Sequence, residues 1–94
     1  MRDFEVKSGA TLCVKDEKFP CTVLSCSRDI DDDSIVISVT VTMDRITADG
    51  RFYFDLFGDV YNFSRRKNGK LVMQGTRMES GPTLIPGKQH YEHP

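Results

Sequence analysis

Helix-favouring residues are scarce in this chain of 94: Ala, Leu, Met, Glu and Gln together number 17, against 20 for Val, Ile and Thr and 9 aromatics. Branched and aromatic side chains lose rotamer freedom in a helix and fit a pleated surface. An all-β fold follows, and the departure from it that the composition leaves room for is one short helix. Long apolar runs are missing too, and none approaches the roughly 20 residues of a membrane-spanning helix. No membrane partner is expected. Cysteine is limited to Cys13, Cys21 and Cys26, an odd number, and no apolar leader follows Met1-Arg2-Asp3. A secreted disulfide framework wants an even count and a leader. The expectation is a soluble cytoplasmic protein with reduced thiols, for which the sequon Asn62-Phe63-Ser64 has no use.

Chemistry-bearing patterns are equally thin. The only histidines, His90 and His93, lie near the C-terminus, so a Cys–His or Ser–His pair needs that segment to fold back. No glycine-rich phosphate loop opens a helix. Asp29, Asp31 and Asp33 alternate as at the start of a calcium loop, but the sixth position is Ser34 and the twelfth Thr40. Calcium loops need glycine and a bidentate acid there. Cys13, Cys21, Cys26 and a histidine would suit zinc by type, yet their spacing matches no zinc-finger pattern, and small buried thiols are the plainer account. The reading is no enzyme, no catalytic residue, no metal and no cofactor.

What is present is a strand pattern. Ile35, Ile37, Val39, Val41 and Met43 alternate with Ser38, Thr40 and Thr42, placing an apolar set on one face and a wetter set on the other. Phe4–Val6 alternates before a turn at Ser8-Gly9, followed by a strand over 10–15. A turn at Asp16-Glu17-Lys18 leads to a strand over 19–27, whose Pro20 suggests a sheet edge. Asp49-Gly50 and Asn68-Gly69 read as two-residue hairpin turns, returning an aromatic strand over 51–57 and a strand over 70–74, with 60–66 between them. If both are two-residue turns, Ile46 points away from the Met43 face, which calls for a bulge or longer loop between Asp44 and Gly50. Six or seven strands joined by short turns make an antiparallel meander, closing as a small barrel (SH3-like or OB-like) or a compact sandwich. Ninety-four residues suit one domain, assigned here to 1–78. Residues 79–94 read as an extended or disordered tail, with Leu84-Ile85 docking on the body.

Two charge clusters stand out against a net charge of −1. Residues 1–60 carry 7 basic and 12 acidic side chains, and residues 61–94 carry 6 and 2. The acidic loop holds Asp29, Asp31, Asp32 and Asp33. The basic hairpin holds Arg65, Arg66, Lys67 and Lys70, with Arg77 nearby. These two clusters are the expected partner-binding residues of a protein-binding module, an inhibitor or accessory factor that occupies a surface of another macromolecule. Stand-alone proteins of this size include such factors of phages and mobile elements. The alternative is a nucleic-acid-binding barrel that stacks bases on Tyr53 and Tyr61 and holds phosphates with Arg65, Arg66, Lys67 and Lys70. Homodimerisation through an exposed sheet edge is a further expectation.

Overall fold

The computed structural model describes residues 4–75 and 81–91. Eight strands run along them: β1 (Gly9–Val14), β2 (Glu17–Arg28), β3 (Val36–Met43), β4 (Arg45–Ile46), β5 (Phe52–Tyr53), β6 (Val60–Arg65), β7 (Leu71–Met73) and β8 (Thr83–Pro86). Six of them form a closed antiparallel barrel in the order β1-β2-β3-β6-β7-β8, with β8 pairing back onto β1. The remaining two, β4 and β5, make a separate ribbon inserted between β3 and β6. The fold is all-β, and its meander closes as a barrel rather than a sandwich. Closure pairs the edges of all six staves, so among the described residues free edges belong to the small ribbon.

Inward-facing side chains fill the barrel in alternation. Ala10, Leu12, Cys21, Val23, Val39, Val41, Phe63, Leu71 and Leu84 are buried together, and Phe4 and Val36 join them at one end. The β3 expectation holds for Val39 and Val41 and fails at the start of the strand. Val36 is 2% exposed, whereas Ile35 and Ile37 are 41% and 44% exposed. Ser27 pairs with Ser38 but Arg28 with Val36, so Ile37 is skipped and alternation reverses at this bulge.

Several local expectations need correction. Phe4–Val6 is not a strand. The chain turns there, with the Ser8 N–H donating to Glu5 O (2.9 Å) and Lys7 at a φ of 73°. Gly9 is already the first residue of β1. The β1–β2 turn sits at Lys15-Asp16, since Val14 pairs with Glu17. Pro20 lies in β2, between β1 and β3, and not on an edge strand. The β2–β3 ladder ends one residue later, at Cys21–Met43, and the Pro20 carbonyl accepts the Asp44 N–H (2.9 Å). The missing donor therefore falls where the β2–β3 ladder stops, beyond its last pair.

Neither glycine hairpin is a two-residue turn. Thr47 N–H bonds Arg51 O while Gly50 N–H bonds Thr47 O, and Arg66 to Lys70 repeats the pattern through Gly69. Both are three-residue loops in which only the glycine has positive φ, 86° at Gly50 and 85° at Gly69. The longer loop at 48–50 resolves the Ile46 conflict. Over 51–57, only Phe52–Tyr53 is strand. The partner edge of β3 is taken by β6, through Thr42↔Val60 to Ser38↔Ser64, so residues 44–59 leave the barrel.

Thr83–Pro86, within the stretch read as an extended tail, forms β8 and pairs with both β1 and β7. Leu84 faces Leu12 and Leu71 inside the barrel. The barrel thus closes through residues beyond 78. After β8 the chain crosses the outer face of β1 and β2 as a strap. Thr11 Oγ1 donates to Gly87 O (2.5 Å) and accepts the Gln89 N–H (2.9 Å), and Lys18 and Tyr91 exchange backbone bonds of 2.7 and 2.8 Å.

Candidate interaction surfaces

Strand directions give the barrel two unlike ends. The β2–β3 and β6–β7 connections emerge at one end and the 44–59 insertion at the other. The acidic loop and the basic hairpin therefore share an end, and Arg65 ties them together. Its Nε donates to Val36 O (2.5 Å) and its Nη1 to Gly69 O, so the guanidinium braces the β3 start against the hairpin.

Within the acidic loop the carboxylates have different tasks. Asp29 Oδ1 accepts the Asp31 N–H (2.8 Å), and Asp32 Oδ1 accepts the Ser34 N–H (3.1 Å) and hydroxyl (2.6 Å). The Ser34 donors hold the Asp32 carboxyl below its ordinary range. Arg28 clips the loop from below, donating to Asp33 O (3.0 Å) and to Phe4 O. Among the described residues, nothing bonds the side chains of Asp31, Lys67 or Lys70, and all three are exposed. Arg66 is half-buried, and Arg77 lies outside the described residues. Ile30, unremarked in sequence, projects from the middle of the acidic loop at 99% exposure.

The opposite end carries a ridge of apolar side chains: Tyr53, Phe54, Leu56, Phe57 and Val60 are all exposed, Phe57 at 94%. The ridge is held from behind. Thr42, on the outer face of β3, is fully buried and donates through Oγ1 to Asp55 O (3.0 Å). Met43 N–H donates to Asp59 O (2.9 Å), and the Phe57 N–H reaches Asp55 Oδ1 (2.9 Å). The signal for this ridge was present in the sequence. Phe52-Tyr53-Phe54-Asp55-Leu56-Phe57 does not alternate, so no single strand face can bury it.

Tyr53 and Tyr61, grouped in the nucleic-acid reading, are separated. Tyr53 stands on the ribbon, while Tyr61 packs against the barrel core beside Val41. Burial, with Asp59 nearby, pushes the Tyr61 hydroxyl above its ordinary value. Neither ring joins the Arg65–Lys70 hairpin at the far end, so stacking and phosphate groups do not form one surface.

A buried polar cluster escaped the sequence reading. The Asp44 side chain has 0% exposure. Thr22 Oγ1 donates to its Oδ1 (2.8 Å), and Lys88 Nζ donates to its Oδ2 and to Thr22 Oγ1 (3.0 Å). The lysine stem of the strap lies over Gly9, where a Cβ would stand 2.6 Å from Lys88 Cγ. Cys21 faces inward nearby, its thiol pushed up to about 11 chiefly by burial. Cys13 and Cys26 are half-buried and free, and His90 packs its ring 6.3 Å from that of Phe19. His93 lies outside the described residues. Among the described residues, no three His, Cys, Asp or Glu side chains converge as a metal would require, and no helix is long and apolar enough to cross a membrane.

No protein-family model, curated protein or solved structure matches the chain.

Proposed function

We propose that the chain is a small non-enzymatic protein-binding module that acts by occupying an apolar groove on a partner protein, as an inhibitor or accessory factor. The observation that carries this reading is the exposed ridge of Tyr53, Phe54, Leu56 and Phe57 on an insertion the barrel does not need for closure, continued by the exposed Val60 at the start of β6. Exposed apolar clusters mark interaction sites, and aromatic anchors supply most of the energy at interface centres. The nucleic-acid alternative is the weaker reading, because Tyr53 and the basic hairpin sit at opposite ends and Tyr61 turns inward.

The test is a tagged pull-down from native host lysate, with and without nuclease, using wild type, Phe57→Asp and Lys67→Glu. One stoichiometric protein that survives nuclease, binds the purified chain directly and is lost with Phe57→Asp supports the module. Recovery of nucleic-acid-associated proteins that vanish with nuclease and with Lys67→Glu, but persist with Phe57→Asp, would replace it with the alternative.

A further inference from the structure

At the charged end, a cleft of about 410 Å³ opens between β7 and β8 where the two strands part beyond Leu71↔Leu84. Phe4, Leu71, Leu84 and Ile85 give it an apolar part, and Arg65 and Lys70 line it as well. The same end presents Ile30, a fully exposed aliphatic side chain flanked by Asp29 and Asp31. One surface therefore carries an apolar knob set among acids and an apolar socket set among bases.

Their placement is self-complementary. Around the ring of six staves, the β2–β3 junction that bears the acidic loop lies diametrically opposite the β7–β8 junction that bears the cleft. A twofold axis perpendicular to the barrel and passing through this end carries each loop of one copy onto the cleft of the other. An isologous dimer requires this reciprocity, residue i meeting j and j meeting i. Asp31, Lys67 and Lys70 are exposed and carry no side-chain bond to the described residues, so none must give up a partner.

We propose that the chain self-associates head to head, each Ile30 entering the β7–β8 cleft of a second copy with Asp31 set against Lys70. The interface is at the far end from the 53–60 ridge and stands or falls independently of the partner reading.

The experiment is sedimentation equilibrium and light scattering on the intact chain. Wild type is expected at twice the 10.7 kDa chain mass, with a dissociation constant that rises with salt. Asp31→Lys places like charges at both contacts of the dimer, as does Lys70→Glu, and each alone is expected to weaken association by about tenfold or more. An equimolar mixture of the two variants is complementary at both contacts and is expected to restore dimerisation. Ile30→Ser should weaken the dimer and not be rescued by mixing with either charge variant, and at concentrations low enough to keep wild type monomeric all variants should melt as it does, because these side chains are exposed. A wild type that keeps the monomer mass at its highest soluble concentration overturns the proposal. So does a dimer unmoved by salt and by both charge reversals, or one broken instead by Phe57→Asp.

Discussion

Asp44 is the residue on which the outer layer of the barrel turns. A carboxylate without solvent exposure needs its charge balanced and its oxygens bonded, and Lys88 and Thr22 supply both. Lys88→Met leaves that charge buried and unpaired. The expected loss is about 2–3 kcal/mol, below the 3–5 of a fully buried pair because Lys88 keeps some water contact. Urea unfolding measures it, and adding Asp44→Asn to Lys88→Met should recover part of the loss. Cys21 makes a second prediction at this scale. Its thiol titrates at about 11 when folded, against 9.0 for an unperturbed thiol. The unfolded chain loses that proton first, so the Cys21 contribution to stability is complete below about pH 9 and declines as pH rises toward 11. Thiol reagents at mildly alkaline pH should label Cys13 and Cys26 well before Cys21, with mass spectrometry of the labelled protein as the readout. Neither the Asp44–Lys88 contact nor the Cys21 environment was legible in sequence, since 43 residues separate the first pair and only the fold brings them together.

At the scale of elements, the β4–β5 ribbon has two residues in each strand and cannot stand alone. Its attachment passes under Gly58, where a Cβ would lie 2.3 Å from Met43 O, 3.0 Å from Thr42 Oγ1 and 3.3 Å from Asp55 O. Two of those neighbours are backbone carbonyls, which yield little. Gly58→Ala is therefore expected to cost about 1–3 kcal/mol and to weaken partner capture as Phe57→Asp does. A melting curve and the pull-down check the two halves of that outcome. The long strands were legible because β2 and β3 combine branched residues with near-regular alternation. The ribbon was misread as a barrel strand because a rich aromatic composition resembles one. Whether such a segment pairs depends on whether a neighbouring edge is vacant, and β6 had filled it.

For the molecule as a whole, closure rests on β8, which joins β1 to β7 across the full length of the chain. Removing it would leave two edges of hydrogen-bonding groups unpaired and Leu12 and Leu71 without Leu84 between them. A chain ended at Pro82 is expected to lose the cooperative unfolding transition and to aggregate, as circular dichroism and size-exclusion chromatography would show. The finished barrel separates its surfaces by chemistry. Charged loops cluster at one end and exposed aromatics at the other, so the two proposed interfaces can be disabled one at a time.

Sequence alone determined the class of fold, through the excess of branched residues and the alternation at Val39 and Val41. It also located both glycine hairpins and both charge clusters, because turn chemistry and formal charge belong to residues that are neighbours along the chain. Tertiary structure decided the rest: the bulge that turned Val36 inward and Ile37 outward, the closure by β8, the burial of Asp44 against Lys88, and the meeting of acidic loop and basic hairpin at one end. Each of these depends on which edges, charges and cavities remain when distant segments pack, and local pattern carries no record of that.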